Sequence, residues 1–283
     1  MKSFLTLSLL AFLLTGCDRK PDATSSSPAV PASQSVAPSA PIPEPPAPLP
    51  PVSAEEPSAT QGFSLLKEGK LLEARALLQP LTQLTNTSDQ VFAAVSEINT
   101  RLLFSPSMMP GKTNYTIQAG DTLGKLAKTF GTTTDLIKKS NGKTSDVIRI
   151  GDLLRIFQGK FAVDISKSAN TLTLTDDGLF FKRYRVGTGQ YDKTPEGTFK
   201  ITTRVANPPW YRGDGKTVPY GDPANILGTH WLGLDIPRYG IHGTWETNSI
   251  GKHSSAGCVR LLNDDVAELY SLLPLGTPVN IHP

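Results

Sequence analysis

His242 lies in an Ile241-His242-Gly243-Thr244 stretch, and Cys258 in Ser255-Ala256-Gly257-Cys258-Val259-Arg260. A thiol attacks carbonyl carbon only as thiolate, and its ordinary pKa of about 8.5 leaves a minority ionised at neutral pH. An imidazole held beside it can take the proton, and small neighbours let a carbonyl approach closely. His242 and Cys258 are 16 positions apart, too far for one helical turn and readily bridged by adjacent strands. The pattern points to a cysteine acyl-transfer site. Backbone N–H groups near Gly257 and Cys258 are the expected donors to a tetrahedral oxyanion.

The elements that must position these residues are β-rich. Ala162–Ile165, Thr171–Thr175, Phe180–Val186 and Thr198–Thr203 alternate as strands, with Asp176-Asp177-Gly178 as a hairpin turn. Residues 205–228 are rich in Gly and Pro, and a loop of that length inside a compact domain is usually functional, often a lid. Asn263 is placed to cap a last helix, with Asp264 and Asp265 in its first turn and Val266, Leu269, Tyr270 and Leu273 on its apolar face. A mainly β domain is expected over 161–283, a β-sandwich with a packed C-terminal helix.

Upstream, Tyr115-Thr116-Ile117 reads as a strand. Leu123, Leu126, Ala127 and Phe130 share one helical face with Asp121 or Thr122 as cap, Thr133 or Thr134 caps a second helix, and Gly151–Ile156 reads as a returning strand. Residues 60–105 have helical spacing, with Val91, Ala94, Val95, Ile98 and Leu102 on one face and Pro80 ending an earlier helix. The Gly69…Glu73-Ala74 pattern faintly resembles one tetratricopeptide unit. A single such unit cannot bury its own face, which favours a packing or spacer role.

The N-terminus carries Lys2 and then an apolar run, Phe4–Leu14, too short for a spanning helix but suited to a signal sequence. Leu14-Thr15-Gly16-Cys17 resembles a bacterial lipobox, which implies a signal over 1–17, lipidation at Cys17 and a membrane-anchored protein of the bacterial envelope. Residues 18–59 are dominated by Pro, Ala and Ser and are expected to be a disordered linker. About forty such residues reach roughly 35 Å as a coil and about 120 Å as polyproline II. With Cys17 lipidated, Cys258 has no partner for a disulfide within the chain. The net charge of +3 and the lack of a basic run give no support for nucleic-acid binding. His230 and His282 have no metal-ligand company in the sequence, so neither a metal nor another cofactor is expected.

Two family resemblances emerge from these motifs. Tyr115-Thr116-Ile117-x-x-Gly120-Asp121-Thr122-Leu123, Asn141 and Gly151-Asp152-x-Leu154, in β-α-α-β order, resemble a LysM domain over 112–158. That resemblance implies binding of the glycan of peptidoglycan, in a groove involving Gly120, Asp121, Thr122 and Ile150. Thr194-Pro195-Glu196-Gly197, Asn225-Ile226-Leu227-Gly228, Ile241-His242-Gly243-Thr244 and Ser255-x-Gly257-Cys258-Val259-Arg260-Leu261 resemble, in this order, the L,D-transpeptidase (YkuD-type) catalytic domain over 161–283.

The second resemblance implies that Cys258 attacks the third residue's carbonyl in a peptidoglycan tetrapeptide stem and expels D-alanine, with His242 as general base. Ser255 matches a motif position and would orient His242 or substrate. Gly243 would let the backbone pass close to substrate, beside Thr244. Arg260 would hold a substrate carboxylate or pair internally with Asp264 or Asp265. Trp231 and Trp245 either wall the site or pack. Many members carry a second His two residues before the Cys; here Ala256 stands there, and His253 is out of register. The acceptor is left open, as are a carboxypeptidase at the same site and a non-catalytic wall tether.

Overall fold

The computed structural model describes residues 55–283; the expected signal, Cys17 and the linker up to residue 54 lie outside the described residues. Three helices come first, α1 (Glu55–Lys67), α2 (Leu71–Leu78) and α3 (Asp89–Leu103). Helix thus begins at Glu55, taking in the last five residues of the stretch expected as linker. Gly69, with φ of 77°, separates α1 from α2, and Pro80 opens a single 3-10 turn that ends α2. The predicted apolar face of α3 is buried throughout. Among the described residues no helix is long and apolar enough to cross a membrane.

A βααβ unit follows: β1 (Lys112–Thr116), α4 (Leu123–Thr129), α5 (Thr134–Ser140) and β2 (Leu153–Phe157), with β1 and β2 antiparallel. The caps are Thr122, accepting from the Lys125 N–H at 3.2 Å, and Thr133, accepting from the Leu136 N–H at 2.9 Å. Asn141 ties the end of α5 to β2 by exchanging two hydrogen bonds with the Arg155 backbone, each 2.8 Å. Ile117, Leu123, Leu126, Ala127, Ile137, Leu154 and Ile156 form this unit's own small core.

The remaining strands are β3 (Phe161–Ser166), β4 (Thr171–Asp176), β5 (Leu179–Arg185), β6 (Thr188–Gly189), β7 (Gly197–Ala206), β8 (Trp210–Tyr211), β9 (Thr217–Val218), β10 (His230–Leu234), β11 (Gly240–Thr244), β12 (His253–Ser255), β13 (Val259–Leu262) and β14 (Pro278–His282), with α6 (Asn263–Leu272) before the last. Eight of them join in the order β13-β11-β10-β7-β14-β3-β4-β5. β7 is the corner: its first residues pair with β14, and Ile201–Ala206 pair with β10 across a register shift at Gly233/Leu234. One apolar core runs from Val163 and Leu174 on one arm to Ile241 and Leu261 on the other, with Val266 and Leu269 of α6 inside it.

The N-terminal helices are part of this body. β5 is a sheet edge, and edge carbonyls invite unwanted pairing. The Gln79 side-chain amide donates to the Phe180 carbonyl at 2.7 Å, and that of Asn99 to the Phe181 carbonyl at 3.0 Å. The βααβ unit docks similarly: Thr133 donates to the Ser271 carbonyl, Lys139 to the Ser271 hydroxyl at 3.1 Å, and Leu136 joins the main core.

Gly159, in the short link from β2 to β3, is required by close approach, since a Cβ there would lie 2.2 Å from Asp176 Oδ1 and 2.3 Å from the Phe157 ring. The Asp176 Oδ1 is buried without a hydrogen-bond partner among the described residues. Desolvation, with the charge of Asp177 adding to it, pushes the carboxyl up to about 6. A carboxyl whose pKa is raised by folding makes the fold lose stability as pH climbs from its unfolded value to its folded one. Asp176→Asn therefore leaves stability little changed at pH 4 and raises it at pH 7.5, by ~1–2 kcal/mol once partial solvent access is allowed for. Urea unfolding at the two pH values measures this, and equal curves for both proteins at pH 7.5 would contradict it.

Candidate active site

Every residue of β11 is buried. It pairs antiparallel with β10, Trp231 opposite His242, and parallel with β13, Arg260 opposite His242. Side chains on a strand alternate, so His242, Trp231 and Arg260 share a face, and Cys258 directly precedes β13, close enough for the Arg260 charge to act on both its thiol and the imidazole. The parallel pairing of β11 and β13 brings the two motifs together across the 16 intervening positions.

The imidazole is 2 % exposed, and its Nδ1 lies 2.6 Å from the Gly243 carbonyl oxygen. A carbonyl only accepts, so Nδ1 carries the proton and Nε2 keeps a lone pair. Trp231 stacks on the ring, centroids 5.8 Å apart and planes at 22°, which makes it a wall of the site. Desolvation lowers the His242 pKa to about 4; the Gly243 and Leu227 carbonyls oppose the shift and the Arg260 charge adds to it. Burial pushes the Cys258 thiol up, while the Gly240 N–H and the Arg260 cation pull it back. Both shifts favour the uncharged forms, a thiol and a neutral imidazole. The thiol lies 3.5 Å from the main-chain carbonyl of Arg238, its acceptor, and Arg238 has a left-handed backbone, φ 71°.

Two hydroxyls fix the loop that carries the thiol. Ser255 donates to the Cys258 carbonyl at 2.6 Å and accepts from the Gly257 N–H at 3.0 Å. Thr194 donates to the Gly257 carbonyl at 2.9 Å and accepts from the Gly189 N–H at 2.8 Å. These bonds correct two expectations. Ser255 braces the loop and, among the described residues, makes no hydrogen bond to His242, and the Gly257 N–H is already engaged by the Ser255 hydroxyl. The Cys258 N–H has no partner among the described residues.

Other expected site residues fall differently. Arg260 pairs with Glu246 at 2.8 Å, not with Asp264 or Asp265, and its buried Nε has no partner among the described residues. Gly243 allows α6 to pack on β11: a Cβ there would lie 2.2 Å from Asn263 Oδ1 and 3.1 Å from Val266. Thr244 Oγ1 accepts from the Glu246 N–H at 3.0 Å. Asn263 does not cap α6; its side-chain Oδ1 accepts from the Thr229 N–H at 3.0 Å, and Leu262 holds the cap position. Ala256 is exposed, and so is Trp245. His253 bonds Thr188 through Nδ1 at 2.7 Å.

In the βααβ unit, Asp121 accepts from the Tyr115 hydroxyl at 2.9 Å and the Gln118 N–H at 2.8 Å, bracing the turn. Gly120 adopts φ 86°, and Thr122 is the cap of α4. Ile150 alone of the four expected glycan contacts presents an apolar side chain to solvent, 73 % exposed and accompanied by Val147 at 68 %.

Asn225, 2 % exposed, holds the 205–228 loop. Its amide donates to the Pro208 carbonyl at 2.9 Å and to those of Val218 and Pro219 at 3.2 Å, and its oxygen accepts from the Leu227 N–H at 2.9 Å. Asn225→Ala strands these groups and is expected to cost ~2–3 kcal/mol, confined to the loop. Faster amide exchange over 208–228 with β3–β5 unchanged is the expected signature.

The profile of the L,D-transpeptidase catalytic domain (YkuD) matches residues 160–281, and that of the LysM domain matches 115–157. The Bacillus subtilis protein YkuD, named as an L,D-transpeptidase, is 34% identical over 175 residues, which cover 59% of this chain and 98% of YkuD. The chain belongs to the L,D-transpeptidase family. Another Bacillus subtilis L,D-transpeptidase by name, YqjB, is 41% identical over 42% of this chain and 69% of its own length. A solved L,D-transpeptidase from Mycobacterium smegmatis aligns over 48% of this chain and 65% of its own, at 22% identity and a TM-score of 0.39. Within this L,D-transpeptidase, Thr194 and Asn225 belong to motifs visible in the sequence, and their roles emerge from the hydrogen bonds. Arg238 carries no sequence signal, because a non-glycine residue gives no sign of a left-handed backbone.

Proposed function

We propose that Cys258 is the nucleophile of a peptidoglycan L,D-transpeptidase and His242 its general base. The observation that carries this is the Nδ1 bond to the Gly243 carbonyl, which leaves Nε2 as the basic nitrogen, on a strand paired with the one that Cys258 leads into. As a stem carbonyl reaches the thiol, Nε2 takes the S–H proton and the Sγ–C bond forms. The C=O electron pair moves onto oxygen, where the unpartnered Cys258 N–H is the donor available. Collapse breaks the C–N bond, the imidazolium returns its proton to the leaving amine, and D-alanine departs from a thioester. An acceptor amine then attacks the thioester, His242 takes its proton, and the thiol is regenerated with a new amide. Water in place of the amine gives the trimmed stem.

The LysM domain would hold the glycan through the exposed apolar side chains around Ile150. The sequence at Cys17 supports a lipid anchor, which keeps the enzyme at the membrane face of the envelope. The test is incubation of the purified protein with disaccharide-tetrapeptides, beside Cys258→Ala, read by mass spectrometry. Crosslinked dimers and free D-alanine, absent with the variant, are the expected result. Tripeptide without dimers would make it a carboxypeptidase, and unchanged substrate with retained peptidoglycan binding would make it a tether.

A further inference from the structure

Two arginines stand beside the nucleophile, and only one is free to meet a ligand. Arg260 is 8 % exposed and engaged with Glu246. Arg238 is exposed, and among the described residues its guanidinium has no salt bridge and no side-chain hydrogen bond. Its course is nevertheless defined: a Cβ added to Gly213 would sit 2.8 Å from Arg238 Nη2. The side chain therefore reaches from the Pro237–Tyr239 turn to the β8–β9 hairpin. The acidic residue at that hairpin, Asp214, is paired with Arg212 at 3.3 Å. Meanwhile the Arg238 carbonyl accepts the Cys258 thiol at 3.5 Å. One residue touches the nucleophile with its backbone and spans to the hairpin with an unpaired cation. It does so at φ 71°, a conformation that costs a non-glycine residue free energy and tends to be kept where function uses it.

We propose that Arg238 recognises the free C-terminal carboxylate of the donor stem peptide, a role that rests on the reading of Cys258 as the nucleophile toward such a stem. That carboxylate belongs to the leaving residue, one position beyond the scissile carbonyl, and an extended residue spans about 3.6 Å. A carbonyl seated on Sγ brings it within reach of the arginine whose own carbonyl is 3.5 Å from the same sulfur. A guanidinium matches a carboxylate with two parallel N–H···O bonds. The contact selects donors with a free terminus. It departs with the released amino acid, leaving the cleft open to the acceptor amine.

The test is calorimetric binding of a sugar-free tetrapeptide and its C-terminal amide to the full chain carrying Cys258→Ala, which cannot turn the peptide over. The acid should bind about ten- to hundredfold more tightly than the amide. Adding Arg238→Ala should level the two, and Arg238→Lys should restore part of the difference. Equal binding of acid and amide, or an acid preference that survives Arg238→Ala, overturns the proposal. The acid–amide comparison needs only the Arg238-bearing protein, so a poorly folded Arg238 variant does not obscure it. D-alanine release by the unaltered protein is scored separately. An acid preference without release sinks the catalytic reading and retains this one; release without an acid preference does the reverse.

Discussion

His242→Gln should slow acylation of Cys258 by about 10²- to 10⁴-fold, the usual weight of a positioned general base. The pH dependence should be as telling as the size of the loss. Because burial holds the imidazole near 4, the base is competent from about pH 5 upward, and kcat/KM should show no inflection near the ordinary histidine value of 6.5. Because burial raises the thiol, no thiolate should be visible in the ultraviolet absorbance at neutral pH. A preformed thiolate–imidazolium pair predicts the opposite, and finding its absorbance at pH 7 would reject the neutral pair. The same burial has a stability consequence. The folded pKa lies below the unfolded one, so the unfolded chain binds the extra proton as pH drops from 6.5 to about 4, and stability falls across that window. The term amounts to ~3 kcal/mol, and His242→Gln should remove it, leaving a flatter unfolding profile in acid.

Residue types at set spacing carried much of the site, and tertiary geometry decided the rest. His242 and Cys258 were legible because acyl transfer needs a thiol and a base among small neighbours. The strands were legible because the core imposes alternation, as in Phe161–Ser166, where every second residue is buried. What β7 does was not: an alternating strand looks the same whether or not it passes from one arm of the sheet to the other. Asn263 before two aspartates reads as a helix cap, yet the Thr229 N–H, 34 residues away, claims its side chain. The Arg260 partner escaped for a similar reason. Asp264 and Asp265 are near in sequence, but the parallel pairing with β11 puts Arg260 beside the segment that carries Glu246. Each miss traded a local partner for one delivered by the sheet.

The geometry of the nucleophile loop leads to a severe effect from one methyl group, in Gly257→Ala. Gly257 has φ of 136°, which L side chains rarely adopt, and its Cβ would lie 2.7 Å from the Tyr239 ring and 3.0 Å from the Lys193 carbonyl oxygen. The ring could swing, but the carbonyl is main chain next to Thr194, whose hydroxyl holds the Gly257 carbonyl from the other side. Backbone strain of ~1–3 kcal/mol and overpacking of similar size cannot both be relieved in place. The loop must shift, taking along the Cys258 thiol and its backbone N–H. A displacement of about 1 Å at reacting atoms costs on the order of 10²-fold in rate, so activity should fall at least that far while the fold persists at a lower melting temperature. Ala256→Gly, one residue earlier and exposed, lacks the clash and should keep most of the activity. Thr194→Val should fall between the two, since it frees the Gly257 carbonyl without forcing it to move. If Gly257→Ala retained the wild-type rate, the position of this loop would not limit the chemistry. The two hydroxyls of Ser255 and Thr194 would then serve stability alone.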